Sequence, residues 1–222
     1  HPLPHRLRDR GRMTGRPVDL NSWSRAEQFR FFRAYERPHY AITVRIDVSH
    51  LMAARKAQNL SPFRSVIHAI GAGLHAVPEL RMRFKCDSVT LYDHLLLSPT
   101  IPLENGDFRY TYLAWLADRA AFDAHAKERI DAVRAGQPLN ANDGSVEDVA
   151  YLSCMPWLDY SSLDNALPSA DDCIPRVSWG KIVPNGGGFD MAMTLQVHHA
   201  LVDGRQAGHF FAATQTALNE IS

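Results

Sequence analysis

The chain of 222 residues has no excess of charge of either sign, with 24 Lys and Arg against 24 Asp and Glu. That balance gives no reason to expect nucleic acid or an anionic membrane surface as a partner. No apolar run approaches the ~20 residues that span a bilayer, and no apolar signal-peptide core stands near the first residue. Cysteine is scarce. Cys86, Cys154 and Cys173 are odd in number and widely spaced, with neither a metal-ligand pattern nor a disulfide framework. The expectation is a cytoplasmic protein with reduced thiols and no metal, each cysteine acting as a small buried hydrophobe.

What is present fits an ordinary globule: 45% hydrophobic and 22% charged residues. The length suits one domain with at most a short extension. Residues 1–17 carry five arginines and no apolar period. They read as a basic, flexible tail. Met13 lies inside it as the expected natural start, and His1 to Arg12 are expected to be non-natural sequence. Residues 18–222 form the single expected domain.

A helix is expected from Asn21 or Ser22, either of which can cap it, with Trp23, Phe29, Phe31, Phe32 and Tyr35 on its apolar face and Pro38 at its end. Ala41 to Val48 alternates like a strand. Ser61-Pro62 opens a second helix, and Phe63, Val66, Ile67, Ile70, Leu74 and Val77 repeat at three and four. Arg81–Lys85, Val89–Tyr92, Leu95–Ile101 and Phe108–Leu116 read as extended. Asp118 to Ala135 reads as a helix, Gln137 to Glu147 as a loop and Val149 to Cys154 as a strand. Val177–Val183 and Phe189–His198 flank Pro-Asn-Gly-Gly-Gly and read as a hairpin. A last helix runs from Asp203-Gly204 to about Asn219. This order predicts an α/β (α+β) two-layer sandwich, with helices packed on one large mixed sheet.

The chemistry concentrates in Gln196-Val-His-His-Ala-Leu-Val-Asp-Gly204, between a strand and a helix. Histidine, with a pKa near ~6.5, can take a proton and return it at physiological pH. Adjacent strand residues point to opposite faces, so only one of His198 and His199 can face a given pocket. No third ligand stands at metal-like spacing. From the residues alone, a catalytic histidine and an ordinary surface pair remain equally open.

His-His-x-x-x-Asp-Gly at this position resembles the active-site motif of chloramphenicol acetyltransferases. Related motifs occur in nonribosomal-peptide condensation domains and in the acyltransferase cores of 2-oxo-acid dehydrogenase complexes. Three further segments resemble the first family, in its order: Asp19-Leu-Asn-Ser-Trp-Ser-Arg-Ala-Glu-Gln-Phe29, then Ser153-Cys-Met-Pro-Trp157 with Ser161-Ser162, then Ile174-Pro-Arg-Val-Ser-Trp-Gly-Lys181. The likeness runs from about Asp19 to Glu220.

The resemblance implies acetyl-CoA as co-substrate, with no permanently bound cofactor, and direct attack of a substrate hydroxyl on the thioester. By resemblance His199 is the general base and Ser153 the hydroxyl donor to the oxyanion. Ser178 holds a water near the same intermediate. Asp203 pairs with Arg25 to fix the loop, His198 is structural, and Lys181 approaches the coenzyme phosphates. Phe32 stands in the acceptor pocket where many members have Tyr. Ile182 and Arg205-Gln206 also depart from the usual pattern, and Gln137-Pro-Leu-Asn-Ala-Asn replaces the usual Leu-Phe-Pro. The resemblance further implies a homotrimer with active sites at subunit interfaces, because one lobe must find its second wall in a neighbour. Chloramphenicol is the leading acceptor. The alternatives are another hydroxyl acceptor, a dehydrogenase-core acyltransferase, and a binder that has lost activity.

Overall fold

The computed structural model describes residues 15–136, 138 and 145–221. In chain order the elements are β1 (Gly15–Pro17), α1 (Ala26–Arg33), β2 (His39–Asp47), α2 (Ser49–Ala57), α3 (Pro62–Ala76), β3 (Met82–Lys85), β4 (Ser88–Tyr92), β5 (Leu96–Pro102), β6 (Phe108–Tyr110), β7 (Leu113–Ala114), α4 (Arg119–Arg134), β8 (Val149–Cys154), β9 (Arg176–Trp179), β10 (Val183–Asn185), β11 (Gly188–His198) and α5 (Gly204–Asn219).

The main sheet has eight strands. Its order is β10-β11-β9-β8-β5-β6, with β2 along the other edge of β11 and β7 on β5. β5–β8 and β8–β9 are parallel, and the remaining pairs antiparallel, so the sheet is mixed. A second, three-stranded sheet has the order β1-β4-β3. This is the expected two-layer sandwich.

The alternation of β11 sorts its two faces. Met191, Met193, Leu195 and Val197, opposite Ile46, Val44, Ile42 and Tyr40, face the helices and join the main core. Asp190, Thr194, Gln196 and His198 take the other face, together with Arg45, Thr43 and His39 from β2. The segment 158–172 covers that polar face and satisfies it. The Gln196 amide oxygen accepts from the Asn165 backbone and side-chain amides at 2.8 Å each, and its Nε2 donates to Asp164 at 2.6 Å. Burial on both faces requires this, because an unpaired polar group there costs about 1–3 kcal/mol.

α3 is the central helix. Ser61 caps it by accepting from the Arg64 N–H, and Pro62 fills its first position. It packs on α5 where Gly73 lets the backbones approach: a Cβ there would stand 2.2 Å from Thr214 Oγ1 and 2.9 Å from the Phe210 carbonyl oxygen.

Several expectations need correction. The first helix starts at Ala26 because Asp19 ties the preceding residues into a turn, accepting from the Asn21 N–H at 2.9 Å and the Ser22 hydroxyl at 3.1 Å. The last three residues of the expected tail form β1, paired with β4; residues 1–14 lie outside the described residues, as does most of the expected 137–147 loop. α2 has no counterpart in the sequence reading. It is short and buries only Leu51, which leaves little periodic signal. The expected strand Phe108–Leu116 divides into β6 and β7. The expected strand Val177–Val183 breaks at Gly180-Lys181, where the Lys181 N–H turns away to the Leu158 carbonyl at 2.7 Å. That carbonyl would lie 2.5 Å from a Cβ on Gly180, hence the glycine. Cys86 is exposed in a left-handed turn at φ 51°, not buried, while Cys154 and Cys173 are partly buried. No helix among the described residues is long and apolar enough to cross a membrane.

Candidate active site

His198 and His199 part company at the end of β11, as alternation requires. His198 is 2% exposed. Its Nδ1 accepts from the Ala200 N–H at 3.1 Å, which sets the tautomer so that Nε2 donates to the Ala170 carbonyl at 3.0 Å. Burial pushes its pKa down to about 4, and the neighbouring His39 adds to the fall. A histidine fixed neutral with both nitrogens occupied is a structural group.

His199 lies one residue on, on the helix side. Its backbone N–H donates to the Pro38 carbonyl at 2.8 Å. Phe32 stacks on the ring with centroids 3.7 Å apart and planes at 12°, and Tyr40 closes the other approach at 4.7 Å. Nδ1 is sealed from solvent and has no partner among the described residues. Nε2 is therefore the ring nitrogen presented outward. Tyr40 is buried enough to raise its pKa, and its hydroxyl donates to the Val202 carbonyl at 3.1 Å, so it braces the turn.

The turn is locked on its far side by Asp203. Its carboxylate accepts from the Arg205 N–H at 2.9 Å, and its own N–H donates to Gln206 Oε1 at 3.0 Å, a complete capping box for α5. Arg25, just before α1, ion-pairs with the same carboxylate. Burial opposes ionisation of Asp203, but the Arg205 N–H, the Arg25 guanidinium and the Gln206 N–H outweigh it and hold the carboxyl below its usual range. Arg25 is 8% exposed, and its Nε and second Nη have no partner among the described residues. A buried cation with one carboxylate partner makes that pair costly to break. The structure thus gathers His199, Phe32, Arg25 and Asp203 into one block.

Ser153 and Ser178 belong to a second block. They sit opposite each other on the parallel pair β8–β9, and Thr194 of β11 and Thr43 of β2 continue the row. Thr43 donates to Thr194 at 2.7 Å, Thr194 to the Tyr160 hydroxyl at 3.2 Å, and Tyr160 to the Ser178 carbonyl at 2.9 Å. Ser153 and Ser178 face a cavity of about 440 Å³, also lined by Ser98, Thr100, Tyr110 and Arg176. His199 does not line it.

Lys181 lies in a third place. The neighbours of Ser153 and Ser178, namely Cys154 and Trp179, line a cavity of about 490 Å³ with Phe63, Ile182, Arg134 and Lys181. Alternation along β8 and β9 puts it on the opposite face of the sheet. Burial pushes the Cys154 thiol up to about 12, so it stays protonated and a poor nucleophile. No cluster of metal-ligating side chains occurs among the described residues. Sequence reasoning did not identify Tyr40, Tyr160 or the capping role of Gln206. Of these, only Asp203-x-x-Gln206 carried a readable signal.

A strand-end histidine held on a helix-capped turn, on a helix-backed mixed sheet, is the arrangement of an α/β sandwich, and the family match below makes it an acyltransferase. The fold is shared with a solved chloramphenicol acetyltransferase (TM-score 0.83, 24% identity, 92% of this chain and 100% of that one). It is also shared with the cubic core of the pyruvate dehydrogenase multienzyme complex (TM-score 0.65, 15% identity, 100% and 96%). The chain belongs to the chloramphenicol acetyltransferase family, whose model matches residues 13–215. The chloramphenicol acetyltransferase of Klebsiella sp. is 25% identical over 205 residues, covering 91% of this chain and 93% of the relative. That of Campylobacter coli is 24% identical over 206 residues, covering 91% and 98%.

Proposed function

We propose that the protein transfers an acetyl group from acetyl-CoA to a hydroxyl of a small molecule, with His199 as general base. The observation that carries this reading is the ring of His199, clamped by Phe32 and Tyr40 with Nε2 outward. Nε2 removes the proton from the acceptor hydroxyl as the oxygen attacks the thioester carbonyl carbon. The carbonyl electrons move onto oxygen, and the Ser153 hydroxyl donates to that oxyanion, with a water held at Ser178. Collapse of the tetrahedral intermediate breaks the C–S bond. The leaving thiolate takes the proton back from His199, so the products are an acetyl ester and free CoA. No acyl-enzyme forms, because the acceptor hydroxyl attacks the thioester directly.

His199 and Ser153 occupy separate places on one subunit. This supports a homotrimer in which His199 of one subunit faces Ser153 of its neighbour. Exposed apolar side chains stand at both places: Phe31 and Tyr35 near His199, Trp157 and Leu158 after β8. Burying them in an interface removes apolar surface from water. Lys181 holds the coenzyme phosphates, with the apolar floor of Phe63, Trp179 and Ile182 beneath the pantetheine arm. Cytoplasmic acetyl-CoA is the donor pool.

The relatives' name makes chloramphenicol the first acceptor to assay. Thiol release from acetyl-CoA should be driven by an acceptor in the wild-type protein and nearly abolished in His199→Ala. Equal turnover by the two proteins would remove His199 from the mechanism.

A further inference from the structure

The cavity that holds Ser153 and Ser178 is unusually rich in hydroxyls. Ser98 from β5 and Tyr110 from β6 add two more, and Thr100 and Asn165 complete its polar rim. No other described residue hydrogen-bonds the hydroxyls of Ser98, Tyr110, Ser153 or Ser178, whereas the Thr100 hydroxyl reaches the Leu152 carbonyl at 3.5 Å. Asn165 spends its amide N–H groups on Gln196, which leaves its side-chain oxygen as an acceptor.

The cavity also contains one cation, Arg176, but its charge is already matched. Arg176 makes two contacts with Asp172, at 2.9 and 3.0 Å, and a third to the Ile174 carbonyl at 3.0 Å. Its guanidinium lies 5.2 Å from the Tyr151 ring centroid. The wall is therefore polar without a spare charge. The cavity across the sheet is the reverse, floored by Phe63, Val66, Ile130, Trp179 and Ile182.

Each unengaged hydroxyl can both donate and accept. Ser153 and Ser178 serve the oxyanion and its water in the proposed mechanism, which leaves Ser98 and Tyr110 to the acceptor; a ligand without hydroxyls at those two places would strip their water and return nothing, at about 1–3 kcal/mol for each buried group left unpaired. A ligand with several hydroxyls on one face satisfies Ser98 and Tyr110 while a further hydroxyl reacts. We infer that the acceptor is a neutral polyol of monosaccharide or cyclitol size, bound by the hydroxyls of Ser98 and Tyr110 and acetylated on a hydroxyl directed at His199 Nε2 of the neighbouring subunit. This rests on the acetyl-transfer reading above and replaces chloramphenicol as the preferred acceptor.

The test measures kcat/KM by thiol release with four acceptors: methyl α-D-glucopyranoside, methyl β-D-galactopyranoside, myo-inositol and chloramphenicol. At least one polyol is expected to exceed chloramphenicol ~10-fold or more. Ser98→Ala and Tyr110→Phe are each expected to lower the polyol-to-chloramphenicol ratio ~10-fold, mainly through KM, the loss expected for one hydrogen bond. Because that readout is a ratio on one protein, partial misfolding does not mimic it. His199-dependent turnover that is faster with chloramphenicol than with every polyol overturns the acceptor assignment and leaves acetyl transfer standing. A His199→Ala protein as active as wild type overturns both. Intact acetyl-CoA binding without turnover of any polyol also overturns the acceptor assignment.

Discussion

The His199 block and the Ser153 block are built on opposite principles. Around His199 the neighbours are held in place: Phe32 and Tyr40 hold the ring, Asp203 caps α5, and Arg25 pairs with Asp203. Around Ser153 the backbone is fixed by strand pairing, but the hydroxyls facing the cavity are left free for a ligand. On the proposed reading, the contrast is between a part that aims one nitrogen and a part that receives the acceptor. Rigidity around His199 comes from packing and charge. The Ser153 side instead offers polar groups that folding leaves unsatisfied.

The largest effect expected from breaking the first block is His199→Ala, which should lower kcat by about 10²–10⁴ and leave thermal unfolding nearly unchanged. Ser153→Ala tests the second block. Its kcat should fall by about 10²–10³, with the acceptor KM little altered, since the donor acts on charge that develops only in the transition state. A fall through KM alone would make Ser153 a binding group. Asp203→Asn should act through stability as well as rate, because it leaves the Arg25 cation buried without its counter-ion. A loss of about 3 kcal/mol, or roughly 6–10 °C in Tm, is expected by calorimetry. An unchanged Tm would detach the ion pair from the turn.

The last prediction concerns pH and touches stability alone. His198 has its pKa depressed to about 4 in the folded protein, against ~6.5 when unfolded. The unfolded chain therefore binds the extra proton first as pH falls. Stability from this group is complete above pH ~6.5 and is lost as pH drops toward 4, by about 3 kcal/mol. His75, also depressed to about 4 by burial, adds in the same direction. Urea midpoints at pH 7 and pH 4.5 measure the sum, and His198→Asn should reduce the difference. A wild-type midpoint that does not move over this range would mean that His198 is not held neutral.

Much of the fold could be read along the chain where one element carries its own signals. Ser61-Pro62 and the three-and-four repeat mark α3, and Asp203-Gly204 marks the start of α5. The misses occur where a distant group decides. β9 ends at Trp179 because Leu158 takes the Lys181 N–H, and β1 exists because β4 offers it an edge. The candidate site residues could be named from the motif. Their environment was not: Tyr40 is 159 positions from the ring it braces, and Tyr160 reaches the hydroxyl row from a loop that crosses the sheet.

The sequence by itself determined the periodicities, caps and order of elements, and hence the sandwich. It also determined that only one histidine of the pair can face a given side, because these depend on neighbours a few residues apart. Only the tertiary structure decided that His199 is clamped by aromatics, that His198 is neutralised by burial, and that Ser153 opens into a hydroxyl-lined cavity apart from His199. Those outcomes depend on which surfaces lose water when distant segments meet, and that is set by packing rather than by local spacing.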